Sequence, residues 1–370
     1  MNFEQFENVV KNPQLKLKEY LESGKKVIGC FHPYTPESLI YAADFVPFGM
    51  WGEEREVCTA RRYFPESICG IIKTDFEVAI NGAYDGMSAV VIPTLCDSLR
   101  CATQNWKYAV PNIEMIPMMY PQNRESKESL PYLRSQYEKL LDRLEDLSGK
   151  QVTAEDLRHA IDVYNEHNQV MRDFQRVASQ YAKEISPLNR YYVIKSACYM
   201  DKAEHAALVK ELLSQLEDTV PRRFRGVRVV TTGMCIDSED LLQIFGNNKI
   251  SVVADDVVQE SGQYRVDVEE SEDVMDALAK QYLNMYACST VLGGVSREQY
   301  ILDLVKEHKA DGVIVVHTKF CDPEEYDIPI IKNALEEENI PVLVIEVDKQ
   351  VRNYGQAATA VQSFQEMIRL

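Results

Sequence analysis

Ser88-Ala89-Val90-Val91-Ile92-Pro93-Thr94-Leu95-Cys96-Asp97 is the stretch on which the fold turns. Its apolar run is rich in β-branched residues, does not alternate with polar ones, and stops at a proline. That pattern reads as a short strand buried on both faces. The second half of the chain repeats it as Gly312-Val313-Ile314-Val315-Val316-His317-Thr318-Lys319-Phe320-Cys321-Asp322. Each half therefore places a Cys-Asp pair just past the end of a buried strand, where open α/β sheets gather their ligands.

Outward from these two stretches, Lys25 to Phe31 and Ile113 to Ile116 read as further strands of the first half, with Pro33 to Thr35 as a turn and Pro36-Glu37 as a helix start. Phe76 to Tyr84 has helical spacing. From Ser129 to Tyr181 the period is helical throughout: Leu133, Tyr137, Leu140, Leu144 and Leu147 form one stripe, Gly149 stops it, and Thr153 with Asp156 forms a capping box for the next helix. Strands resume at Val227 to Thr232, Ser251 to Ala254, Gly312 to Val316 and Pro341 to Glu346. The expectation is an α/β fold of two Rossmann-like domains with parallel sheets joined by a helical segment, at residues 1–125, 126–222 and 223–370.

The 370 residues carry a net charge of -18, which opposes nucleic-acid binding. No apolar run approaches the roughly 20 residues of a membrane span. The opening Met-Asn-Phe-Glu-Gln-Phe-Glu is acidic where a secretory signal is positive, so a cytoplasmic location is expected. Nine cysteines in a chain of this kind point to reduced thiols or metal ligands rather than a disulfide framework.

A lone cysteine usually just fills buried space. The paired Cys96-Asp97 and Cys321-Asp322 are harder to read that way, because the Asp keeps each loop polar. Cys69 precedes a helical stretch, where backbone N–H groups would stabilise a thiolate. Alternatively Ile68, Cys69, Ile71 and Ile72 bury one face of that helix, and the residues alone leave both readings open. With no Cys-x-x-Cys anywhere, a site would be assembled from distant segments, which suits an iron-sulfur cluster with an open position better than a closed zinc. Cys96 and Cys321 sulfurs would then lie within about 7 Å of each other. Cys235 follows a strand among apolar neighbours and reads as packing. Cys30 and Cys101 could line the site, whereas Cys58, Cys198 and Cys288 offer only burial. No Walker A or G-x-G-x-x-G sequence supports nucleotide binding.

Four segments carry a resemblance along nearly the whole chain. They are Gly29-Cys30-Phe31-His32-Pro33-Tyr34-Thr35-Pro36-Glu37, with Ala42-Ala43 and Trp51-Gly52; Val91-Ile92-Pro93-Thr94-Leu95-Cys96-Asp97-Ser98; Val253-Ala254-Asp255-Asp256; and Lys319-Phe320-Cys321-Asp322-Pro323-Glu324-Glu325-Tyr326-Asp327. In this order the chain resembles the β-type subunits of the 2-hydroxyacyl-CoA dehydratases of anaerobic bacteria. It departs from their pattern at Asp44, where the family commonly has Gly.

The resemblance implies a heterodimer with a homologous α subunit, each subunit carrying one 4Fe-4S cluster, held here by Cys69, Cys96 and Cys321. It also implies a separate ATP-dependent iron-sulfur activator that injects one electron. An (R)-2-hydroxyacyl-CoA would then lose water through a ketyl radical to give a 2-enoyl-CoA, as in anaerobic amino acid fermentation. In that scheme this chain's cluster relays the electron and the catalytic residues lie elsewhere. The rival expectations are a benzoyl-CoA-reductase-type subunit, separated by a ring-reduction assay, and a non-catalytic electron-transfer iron-sulfur protein, separated by failure to co-purify with a larger homologue. A metal-free binding protein would purify colourless.

Overall fold

The computed structural model describes residues 2–291, 293–350 and 352–369. Strands β1 (Lys26–Phe31), β2 (Phe45–Met50), β3 (Ala89–Pro93) and β4 (Glu114–Met118) form an all-parallel sheet in the order β2-β1-β3-β4. Strands β5 (Val227–Gly233), β6 (Ile250–Val257), β7 (Gly312–Thr318) and β8 (Val342–Val347) form a second, also all parallel, in the order β6-β5-β7-β8. The second order repeats the first position by position, so β3 and β7 are equivalent strands. The expected α/β class with two parallel sheets holds.

Successive side chains of the second sheet enter opposite layers, as strand geometry requires. Val229, Ile314 and Val316 pack in one cluster with Met171, Phe174 and Val209, while Val230, Val313 and Val315 pack in another with Ile301, Ile331 and Leu335. A parallel sheet covered on both faces leaves no polar face to alternate, which is why these strands read as continuous apolar runs. In the first sheet Phe31, Phe76 and Trp106 meet edge to face, with Trp106 centroids 5.6 Å from Phe31 and 5.2 Å from Phe76. The Trp106 indole N–H donates to the Ile113 carbonyl at 2.9 Å, so the ring is buried with its one polar atom satisfied.

Two elements differ from the sequence reading. β2 gave no signal because Phe45-Val46-Pro47-Phe48-Gly49-Met50 contains a proline and a glycine, both tolerated on an edge strand. That edge is closed by the helical segment, where the Gly49 N–H donates to the Cys198 carbonyl at 2.6 Å. A Cβ at Gly49 would stand 2.9 Å from the Cys198 Cβ, so the approach requires glycine. The helix expected over Phe76 to Tyr84 runs instead from Gly70 to Ile80, and the left-handed Gly82 (φ 78°) turns the chain away.

Asp44 takes φ 64°, in the left-handed region that glycine enters most freely. Its carboxylate pairs with Lys150 at 3.0 Å, which helps hold a conformation unusual for a residue with a Cβ.

Between the sheets lie the Ser129–Ser148 and Ala154–Ala178 helices, followed by Pro187–Ser196 and Lys202–Glu217. Gly149 ends the first at φ 75°. The Thr153 hydroxyl accepts from the Asp156 N–H at 3.2 Å and the Asp156 carboxylate accepts from the Thr153 N–H at 2.8 Å, completing the capping box. Thr153→Ala is expected to cost about 1 kcal/mol of stability, measured as a shift in urea midpoint at unchanged slope.

Asp75, fully buried on the Gly70–Ile80 helix, accepts from the Gly52 N–H at 2.9 Å and the Tyr84 hydroxyl at 3.2 Å through one oxygen, while the other oxygen has no partner. Burial raises its carboxyl to about 7. A carboxyl raised above its unfolded value near 3.9 contributes stability that is complete below about pH 4 and is lost as pH rises through the folded value. Asp75→Asn is therefore expected to remove a loss on the order of 4 kcal/mol between pH 4 and 7. Urea unfolding at stepped pH checks this, and parallel wild-type and variant profiles would contradict it.

Candidate metal centre at three helix starts

β3 ends at Pro93, and Thr94 holds the turn by donating both its N–H (2.9 Å) and its hydroxyl (3.2 Å) to the Met118 carbonyl. Cys96 follows as the N-cap of the Asp97–Ala109 helix. β7 ends at Thr318, whose carbonyl accepts from the Cys321 N–H at 3.0 Å, and Cys321 is the N-cap of the Asp322–Glu337 helix. The turn between them needs Phe320 at φ 63°, a costly conformation for a bulky side chain and one that concentrates at functional loops. Cys69 is the N-cap of the Gly70–Ile80 helix. All three expected cysteines thus occupy the same local position, the residue just before a helix, on three different helices and in both halves of the chain.

That position is where free N–H groups and the positive dipole end point outward. The N–H groups of Ile71 and Ile72 favour the ionised form of Cys69, those of Ser98 and Leu99 that of Cys96, and that of Glu324 the ionised form of Cys321. The Cys321 thiol holds Cys69 below the usual thiol range, with the two amides acting the same way against burial, while the Cys69 sulfur together with burial pushes Cys321 well above that range. Cys96 is less enclosed, and burial pushes its thiol up to about 12 against the pull of its two amides, with the Cys69 sulfur among its electrostatic neighbours.

Among the described residues, no group of three His, Cys, Asp or Glu side chains converges on a point that would hold a single metal ion. An iron-sulfur cluster asks for something else, since its cysteines bind different irons and stay apart. Soft thiols from separated segments, each with N–H donors ready for thiolate or sulfide charge, fit such a cluster better than a closed zinc site.

The other cysteines lie elsewhere. Cys30 is buried within β1 and its electrostatic neighbours are Glu37, Lys202 and Cys198, not Cys69. Cys101 is exposed on the Asp97–Ala109 helix. Cys235 packs against Thr318, 3.8 Å from its hydroxyl, and Cys198 and Cys288 are buried as expected. Cys58 corrects the sequence reading, because it is exposed rather than buried.

Sequence reasoning missed the polar groups around these loops. His32 follows β1, stacks on Trp51 at 4.7 Å, and has neither ring nitrogen hydrogen-bonded; burial lowers it to about 4, so its imidazole is neutral at pH 7. It lines a cavity with Glu37, Tyr164 and Lys202, in which Glu37 accepts from the Tyr164 hydroxyl and pairs with Lys202, each at 3.2 Å. Arg297 is buried and donates to Asp256 (2.7 Å), Glu324 (2.7 Å), Asp327 (3.1 Å) and the Thr232 hydroxyl (3.0 Å). The Asp255-Asp256 pair supplies buried anchors: Asp255 pairs with Arg190, and Asp256 pairs with Arg265 as well as Arg297.

Two copies of one parallel sheet, with cysteines in equivalent loops, define a two-domain α/β protein of the Rossmann-like class. Among such proteins, the chain belongs to the 2-hydroxyglutaryl-CoA dehydratase D-component family, whose model matches residues 33–368. It is 46% identical over 368 residues to the (R)-phenyllactyl-CoA dehydratase beta subunit of Clostridium sporogenes, covering 99% of this chain and 98% of that one. It is 36% identical to the lactoyl-CoA dehydratase subunit beta of Anaerotignum propionicum, covering 98% of each. It is also 32% identical to the (R)-2-hydroxyglutaryl-CoA dehydratase subunit beta of Acidaminococcus fermentans, covering 99% and 98%. Among the described residues, no helix is long and apolar enough to cross a membrane.

Proposed function

We propose that this chain is the β-type subunit of a 2-hydroxyacyl-CoA dehydratase, and that Cys69, Cys96 and Cys321 hold one 4Fe-4S cluster. The observation that carries the reading is the placement of these three cysteines, and no others, at helix starts flanking the carboxyl ends of the two sheets. Family membership and the names of the three relatives support dehydration of a CoA thioester by a complex with a companion subunit, and the resemblance read from the sequence adds an ATP-dependent activator as the electron source.

When bound, the cluster supplies a one-electron redox centre to the complex. This chain's residues do the rest. The three thiolates hold the group, the N–H groups of Ile71, Ile72, Ser98, Leu99 and Glu324 stabilise negative charge on the sulfurs, and the apolar walls at Ile68 and Ile72 keep water from the Cys69 side.

The test is chemical analysis of protein purified without oxygen, alone and with the larger homologous subunit. Roughly four iron and four sulfide per chain are expected, with broad visible absorption. The joined complex, with activator and ATP, is expected to dehydrate a 2-hydroxyacyl-CoA. Colourless, metal-free protein would sink the cluster assignment, whereas ring reduction of an aromatic thioester without dehydration would sink the dehydratase assignment.

A further inference from the structure

Lys349 lies just past the end of β8 with its side chain 2% exposed, among the most buried lysines of the chain. Its stem covers Gly70, the residue after Cys69: a Cβ at Gly70 would stand 3.6 Å from the Lys349 Cβ. The ammonium donates to Asp237 at 2.6 Å, and Lys195, 4% exposed, points at the same carboxylate oxygen from 3.5 Å. Two buried ammonium groups thus share one carboxylate. A buried surplus cation is costly unless a further anion stands within reach.

The other acids facing Lys349 do not supply that anion. Burial raises both Glu54 and Asp75, which weakens each as a counter-charge, and burial pushes the Cys235 thiol up to about 12. What Lys349 packs against instead is Gly70, the first residue of the helix that Cys69 caps, so the surplus charge stands beside the site of the anionic group.

We infer that Lys349 is a positioning residue that sets the reduction potential of the group held by Cys69, Cys96 and Cys321, its surplus charge with Lys195 balancing the negative charge of that group. This rests on the cluster reading above. A cation in a low-dielectric interior favours the form with one more electron, and the segment holding it is fixed: the Lys349 carbonyl accepts from the Arg55 N–H at 3.1 Å, and the Arg352 guanidinium donates to the Glu54 carbonyl at 2.6 Å. Lys349 comes from the second half of the chain and Cys69 from the first, so the arrangement exists only when the halves are docked.

The experiment is redox titration of the full chain, purified without oxygen, followed by visible absorption and electron paramagnetic resonance. Lys349→Met is expected to lower the reduced-to-oxidised ratio at a fixed potential about tenfold, or about 59 mV more negative for a one-electron couple. Lys349→Arg keeps the charge and should stay near wild type. Asp237→Asn removes the shared anion and should move the potential the opposite way, which structural damage would not do. If Lys349→Met protein loses its iron, the sign is read from Asp237→Asn against Lys349→Arg. Variants with full iron and unchanged potentials, or with shifts of one sign for Lys349→Met and Asp237→Asn, overturn the inference. Wild-type protein without iron overturns the cluster reading and this inference with it.

Discussion

Cys321→Ala protein purified without oxygen is expected to lose most of its iron and sulfide, and Cys69→Ala and Cys96→Ala protein likewise. Each thiol sits at the start of its own helix, so no neighbouring sulfur stands at the same helix end to replace it. Removing one thiolate from a cluster held by three leaves two separated anchors, and assembly should fail or reverse quickly. Cys198→Ala and Cys288→Ala set the baseline, since both thiols are buried in packing and should cost on the order of 1 kcal/mol with iron intact. Cys101 is the sharper control. It is exposed one turn along the helix that Cys96 caps, so a local rearrangement could bring it to the same loop. Iron lost from Cys101→Ala but kept in Cys96→Ala would place the site correctly and the ligand wrongly. Full iron in Cys321→Ala would refute the assignment, and unfolding midpoints of each variant separate lost iron from lost fold.

The strands and two of the cysteine positions were legible because their causes are local. A buried parallel strand must be apolar on both faces, so Ala89–Pro93 and Gly312–Thr318 announced themselves, and the loop after each followed from the strand's end. Gly149 and the Thr153 cap were legible for the same reason. β2 was not, because its proline and glycine are admitted by an edge position that only the sheet order reveals. The exposure of Cys58 and the seclusion of Cys30 beside Glu37 depend on which loops the helices cover. The least legible features were the buried charges. Arg297, Arg190 and Lys349 pair with acids 41, 65 and 112 residues away, and no short pattern marks an arginine or lysine that the fold will bury.

Arg297 shows what those charges do for the site, and Arg297→Ala is expected to cost about 3–5 kcal/mol. Its guanidinium is 7% exposed and bonds Asp256 at the end of β6, Thr232 at the end of β5 and Glu324 in the first turn of the Cys321 helix. Truncation would leave Glu324, itself 1% exposed, with the Ser289 hydroxyl at 3.1 Å as the remaining side-chain partner of its carboxylate among the described residues. It would leave Asp256 with Arg265 at 2.9 Å and the Thr232 hydroxyl at 3.1 Å. Most of the cost is that of stranding carboxylates without their cation, so Arg297→Ala combined with Glu324→Gln should recover part of it, which independent effects would not. In a scan the single variant should unfold roughly 10 °C lower. The Glu324 N–H donates to the Cys321 carbonyl at 3.0 Å, so the loosened helix start should release iron to a chelator faster than wild type well below the unfolding temperature. Stability within about 1 kcal/mol of wild type, with iron release unchanged, would mean that this network does not hold Cys321 in place.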